Sequence, residues 1–359
     1  MHWLFTTLTC LLCLPVLAQT RVELSAEDRL AKRNAFDSTY IQPYYRGLTL
    51  RPRTQGYGHA INIASRRAGT SSFLYEPNLL ATIGLHGSYN GLGFGISYKL
   101  PNSAYEPAKY GRTRKLDLSL DFTSRRWLGE LTFTGIQGFY LPDPGRFYQP
   151  ERALPPLVRP DMFTAQIGFG YTRIFNPKRF TIHALFGQTE VQTRSAGSFL
   201  LQGQANVFGI TSDSSLVPGP LRPSYPELDS ATNINLSSLG VSPGYAHTFV
   251  LHRFSLGVMA LLGPGLQRSV VEDGEDVHIY GRLYYNLEWR TVLNYARPRW
   301  FAGFSISGRS STFRLHGANL THGRVQTELY FGYRFPQVRL LKNWRWIRKI
   351  GPARRWLDS

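Results

Sequence analysis

The sequence predicts an all-β transmembrane antiparallel β-barrel of about 12 strands (12–14), with short periplasmic turns and longer extracellular loops. Three observations lead there: two-residue alternation of apolar and polar side chains over long segments, an apolar leader, and a contrast between tight and long connections. Composition agrees, since 14% of the 359 residues are aromatic, only 18% are charged and 34 are Gly, a mixture that favours strands and turns. Past the leader no run of about 18 apolar residues occurs, which excludes a helical span and leaves a strand-built one open.

The leader runs from Trp3 to Leu17 and ends in Val16-Leu17-Ala18, so residues 1–18 read as a signal peptide cleaved after Ala18. Cys10 and Cys13 both lie inside it, and the mature chain carries no thiol for a disulfide, a metal site or a nucleophile. Leu12 stands where a lipidated cysteine needs a small neighbour, so a lipoprotein is not expected. Residues 19–46 are polar and mildly helical, with Ser25 and Asp28 in capping-box spacing, and form a periplasmic lead-in. The barrel is assigned to 47–335.

Within it, Leu92, Phe94, Ile96, Tyr98 and Leu100 oppose Gly93, Gly95, Ser97 and Lys99. Leu116, Leu118, Leu120 and Phe122 oppose Lys115, Asp117, Ser119 and Asp121, and a long segment from Val277 to Arg290 repeats the pattern. A barrel in lipid turns its apolar face outward and its charges inward. Tight links stand at Asn90-Gly91, Ser124 to Arg126, Asn176 to Lys178, His252-Arg253 and Arg297 to Arg299. Long ones occupy Pro101 to Arg112, Leu141 to Asp161 and Thr211 to Thr232. The last alternating segment closes on Phe335, like the terminal-strand signal that barrel-assembly machinery reads. That machinery is an expected partner during biogenesis.

The strand count is inconsistent at one place. Between the tight links at Asn176 and His252 the chain must cross an even number of times. Three segments alternate there: Phe180 to Glu190, Ala196 to Ile210 and Asn233 to Val250.

Ordered motifs along the chain resemble a known family. They include Phe36-Asp37-Ser38-Thr39-Tyr40-Ile41, Lys109-Tyr110-Gly111-Arg112-Thr113, Gly138-Phe139-Tyr140-Leu141 and Arg159-Pro160-Asp161. Ser195 to Leu200, Asp213 to Pro218 and Gly240 to Ala246 continue the series. Together they are similar to an uncharacterised outer-membrane barrel family of Bacteroidetes-type bacteria, known as a domain of unknown function. The resemblance spans about 36 to 335 and implies an outer-membrane barrel, with no catalytic residue to carry over.

The expected lumen is charged with both signs: Lys115, Asp117, Asp121, Glu130, His278, Arg282, Glu288, Arg290, Arg324, Glu328 and Arg334 are its lining candidates. Charges withdrawn from bulk water must pair or be solvated, which fits a salt-bridged interior or a small, porin-like conducting pore. His86-Gly87-Ser88-Tyr89-Asn90-Gly91 superficially resembles a phospholipase motif with one residue inserted; a lumen histidine beside an Asn-Gly turn accounts for it more simply. No cofactor, metal site or nucleic-acid fingerprint is read.

Residues 336–359 form a basic amphipathic tail. Arg339, Lys342, Arg345, Arg348 and Lys349 surround Trp344, a pattern suited to an anionic membrane surface. The net charge of +18 points to outer-membrane lipids and lipopolysaccharide as acidic partners, with an envelope protein as a further candidate. The expectation is a non-enzymatic small pore or envelope structural protein. The alternatives are a lipid- or lipopolysaccharide-modifying barrel enzyme and a scaffold acting through the tail.

Overall fold

A computed structural model describes residues 36–335, apart from 45–46, 68, 90, 101–102, 149–153, 274–275 and 316, and without the side chains of 273–280 and 282. The signal peptide, most of the lead-in and the basic tail, with Arg339, Lys342, Trp344, Arg345, Arg348 and Lys349, lie outside the described residues.

The strands are β1 (Ile41–Pro43), β2 (Leu48–Ser65), β3 (Phe73–Tyr75), β4 (Ala81–Tyr89) and β5 (Leu92–Lys99). They continue as β6 (Arg114–Thr123), β7 (Trp127–Leu141), β8 (Leu157–Ile174), β9 (Glu190–Gln192) and β10 (Ala196–Thr211). The last are β11 (Ala231–Leu251), β12 (Phe254–Asp273), β13 (Asp276–Ala296), β14 (Trp300–Arg314) and β15 (Ala318–Phe335). Twelve of them pair antiparallel with their neighbours in chain order, and β15 returns to pair with β2 from Phe335↔Leu48 to Ala318↔Ser65, closing the barrel. Closure leaves no unpaired edge. Short β3 extends the wall beside β2, and β1 pairs with β9 as a two-stranded ribbon.

The alternation read in the sequence sets the faces. Phe94, Ile96 and Tyr98 on β5, Phe163, Ile167 and Phe169 on β8, and Leu329 and Phe331 on β15 all point outward and are exposed. The exterior is therefore a broad apolar surface, which only a lipid surround makes stable. Prolines interrupt one ladder. Between Gly240↔Gly265 and Gly244↔Leu261 the pairing of β11 with β12 lapses, where outward-facing Pro243 and Pro264 supply no N–H. There the backbones approach so closely that a side chain at Gly263 would fall on the backbone of Val241 and Ser242.

One rim carries the wall's two ends, Leu48 and Phe335, and the turns at 90–91, 124–126, 252–253 and 297–299; it is called here the short-turn rim. The connection 175–195 also starts and ends there. The parity problem is resolved by this segment: Phe180 to Glu190 is not a membrane-crossing strand. It enters the barrel, makes a 3-10 turn at Ile182–Ala184, and leaves through β9. The opposite, long-loop rim carries the connections 66–80, 100–113, 142–156 and 212–230, with shorter ones at 274–275 and 315–317.

The interior differs from the expected all-polar lumen, because both of its ends are apolar. At the long-loop end, Leu216, Val217, Leu221, Tyr225 and Leu228 of the inward-folded 212–230 connection pack against wall residues such as Ile61, Phe139, Phe208, Ile234 and Leu320. At the other end, Phe180, Ile182 and Leu185 pack against Leu128, Leu200, Met259, Val292 and Phe301. Each cluster buries side chains worth about 1.5–3 kcal/mol apiece against exposure.

Candidate functional site

Between the two apolar ends lies a belt of charge, built because every second residue of the wall strands faces inward. On β2 this parity presents Arg51, Arg53 and Gln55. All three converge on Glu328 of β15: Arg51 Nη1 is 3.3 Å from Oε1, and Arg53 Nη1 and Gln55 Nε2 are 3.5 and 3.0 Å from Oε2. Thr82 Oγ1 fixes the Gln55 amide by donating to its oxygen at 3.0 Å. Other pairs repeat the principle elsewhere on the wall. Arg309 Nη2 meets Glu288 Oε2 at 2.6 Å, His86 Nε2 meets Asp121 Oδ2 at 2.6 Å, and Lys115 pairs with Asp117 while its Nζ lies 3.8 Å from the centre of the Tyr57 ring. Removing one member of such a buried pair costs about 3–5 kcal/mol, so the belt is held by mutual need.

A cavity of about 130 Å³ remains in the belt. Of the sequence-derived lining candidates, Asp117, Asp121, Glu130, Arg290, Arg324 and Glu328 border it; Lys115 is paired with Asp117 and Glu288 with Arg309. Arg334 stands apart. It lies at the short-turn end, where Nε donates to Gln188 O at 3.0 Å and Nη1 to Arg297 O at 2.7 Å. The side chains of His278 and Arg282 lie outside the described part of the structure. Near the long-loop cluster His59 and His322 meet with ring centres 4.7 Å apart, and among the described residues no three ligand-type side chains gather as a metal site.

The 175–195 segment is tied to the belt through its backbone carbonyls. Arg51 Nη1 donates to Phe186 O at 2.8 Å and Asn294 Nδ2 to Ala184 O at 3.0 Å, adding to the Arg334 bond. Arg125 Nη2 lies 3.0 Å from Glu190, and Arg290 rests over the Phe186 ring at 4.6 Å. Arg51 thus serves two purposes: it neutralises Glu328 and holds the segment in place. Burial pushes the His183 imidazole on this connection below its ordinary value, against the opposing pull of Glu190.

His86 and Ser88 both face inward and are buried, but they form no nucleophile-base pair. His86 Nε2 is engaged by Asp121, and Ser88 Oγ has no partner. Arg51, Arg53, Gln55 and Arg309 were not among the sequence candidates. The signal was there for β2, whose Arg51-Arg53-Gln55-Tyr57-His59 register places polar and amphipathic side chains on one inward face.

Residues 35–335 match the sequence profile of a family described as a domain of unknown function, DUF4421. No curated protein matches the chain. Among solved structures, similarity is found to the outer membrane protease OmpT from Escherichia coli, at 7% identity and a TM-score of 0.37, covering 82% of this chain and 98% of that one. The translocator domain of the autotransporter NalP from Neisseria meningitidis gives 12% and 0.32, over 87% and 96%. The Pseudomonas putida toluene transporter TodX gives 6% and 0.27, over 80% and 90%. None of these scores bears on what this barrel does.

Proposed function

The chain belongs to the DUF4421 family, and for this member we propose a non-enzymatic outer-membrane barrel that is closed at rest, exported by its signal peptide, with its short-turn rim in the periplasm. The observation that carries this reading is the filling of the lumen from both ends, by 212–230 on one side and 175–195 on the other. The charged chamber between them has several of its cations and anions engaged with one another, among them Arg51 and Arg53 with Glu328 and Arg309 with Glu288, and the two apolar fillings are what bar an ion from it. The barrel is an envelope component whose conductance requires displacement of both fillings, of which 175–195 is the more weakly anchored.

Planar-bilayer recording of the refolded mature protein tests this. The wild type inserts and stays electrically silent. A variant with both 180–190 and 214–229 replaced by Gly-Ser linkers conducts, its ion selectivity weakening at high salt because the exposed belt is screened, while either replacement alone stays silent. Steady open-channel conductance of the wild type would refute closure at rest.

The lipid-hydrolase alternative has one supporting observation, the His86–Asp121 pair. It requires lipid turnover that disappears in both Ser88→Ala and His86→Ala; turnover absent from the wild type removes it.

A further inference from the structure

The two rims differ in charge. On the short-turn rim Arg126, Lys178, Arg179, Arg194, Arg253, Arg297 and Arg299 are all exposed. Among the described residues the carboxylates nearby are Asp37 and Glu190, and Glu190 is buried against Arg125. The long-loop rim is mixed: Arg66, Arg112, Arg114 and Arg314 are interspersed with Glu106, Asp143, Asp213 and Asp229. One end of the barrel therefore presents cations almost alone.

At one place this charge is joined to a shelf of aromatic rings. The turns 252–253 and 297–299 are neighbours, since Ala296 N donates to Arg253 O at 3.0 Å. They bring Arg253, Arg297 and Arg299 together beside Phe254, Tyr295, Trp300 and Phe331. The rings run in series on the outer surface, with centres 4.9 Å apart for Phe254–Tyr295, 5.3 Å for Tyr295–Trp300 and 6.1 Å for Trp300–Phe331. Arg297 Nε donates to Tyr295 Oη at 2.9 Å, which fixes one guanidinium at the edge of the shelf.

Rings with one apolar and one polar side sit at the boundary between hydrocarbon and headgroups. That puts the three guanidiniums at phosphate depth, and a guanidinium offers a planar pair of donors to phosphate oxygens. We propose that the short-turn rim, centred on Arg253, Arg297 and Arg299, is a binding surface for anionic phospholipid headgroups, whose acyl chains lie along Phe254, Trp300 and Phe331. The proposal needs the transmembrane placement of the barrel but not its closure, and the wall's last strand leads from this same rim into a tail with seven Arg and Lys against Asp358.

The test is native mass spectrometry of the refolded mature chain after exchange into mixed micelles of phosphatidylglycerol and phosphatidylcholine. The wild type retains phosphatidylglycerol preferentially. Arg253→Gln/Arg297→Gln/Arg299→Gln lowers that retention on the order of tenfold, and the corresponding Lys variant restores much of it. Arg112→Gln/Arg114→Gln/Arg314→Gln, on the opposite rim, leaves it unchanged. Heat-dependent gel mobility establishes that each variant is folded. Equal retention of both lipids by the wild type, or no loss in the first triple variant, overturns the proposal. Binding of soluble polyglutamate in place of lipid, lost in the same variant, also overturns it, by making the rim a surface for an acidic protein. Silent or conducting behaviour in bilayers changes none of these outcomes.

Discussion

The two segments that fill the barrel are held by different balances of the same forces. The 212–230 connection is part of a core: Leu216, Leu221, Tyr225 and Leu228 interlock with wall residues from most of the strands, and Tyr225 Oη also accepts from Ser65 N and donates to Ser71 O, each at 2.9 Å. Both connections are also tethered by side-chain bonds to their carbonyls, Tyr75 and Arg159 holding Leu216, Ser215 and Ser214 on one side and Arg51, Asn294 and Arg334 holding Phe186, Ala184 and Gln188 on the other. The 175–195 connection has fewer apolar anchors, so these bonds carry a larger share of its hold. Apolar burial is lost only when the whole surface is re-exposed, whereas a hydrogen bond to a carbonyl can be exchanged with water at a net cost of about 1 kcal/mol. One end of the barrel is thus built as a permanent floor. The other is built as a removable stopper.

Substitutions that break one end without the other sharpen this contrast. The largest effect is expected for Tyr225→Ala, which opens a cavity and strands the backbone groups its hydroxyl served. It should cost about 4 kcal/mol in urea unfolding of the refolded barrel and leave the wall globally weaker. Leu185→Ala should cost about 3 kcal/mol, and because its loss falls on the stopper, proteolysis within 175–195 should quicken more than it does in Tyr225→Ala, despite the larger destabilisation there. Equal cleavage rates within 175–195 in the two variants would erase the distinction between floor and stopper. Arg334→Gln removes the bonds to Gln188 O and Arg297 O and should cost about 1–2 kcal/mol, seen as faster proteolysis within 175–195.

The smallest effect is one of pH. His183 is buried and its imidazole is pushed down, so the docked segment prefers the neutral ring. A released segment takes up a proton first as pH falls below about 6.5, and the docked state loses stability from there downward; it keeps its full contribution above that value. Proteolysis within 175–195, scored against an unstructured substrate at each pH, should quicken between pH 7 and 5, and His183→Gln should flatten the response.

Much of the wall was legible from alternation alone. β5, β6 and the last strand have the faces that Phe94, Lys115 and Phe331 announce, because a two-residue period is a local property of an extended chain. The stopper was disguised by the same rule. Phe180, Ile182 and Ala184 also alternate, yet they follow an extended entry into a 3-10 turn, and only the parity of crossings betrayed them. The floor was hidden for another reason. Pro218, Pro220, Pro223 and Pro226 mark 212–230 as a loop, and nothing local tells whether Leu221 and Tyr225 turn toward water or into the barrel mouth. Charge pairing was out of reach as well: Glu328 meets Arg51 only because the first strand closes on the last.

That closure has a consequence for how the protein comes to exist. Both fillings are cut from the middle of the chain, and the ring that surrounds them is completed only when Leu48 meets Phe335. Each filling begins and ends on one rim, so it can swing into the mouth whether or not the ring has closed. The ring's final seam joins the most distant partners in sequence, the slowest kind of contact to form, so both segments are tethered at their own strands before the ring that will hold them is complete.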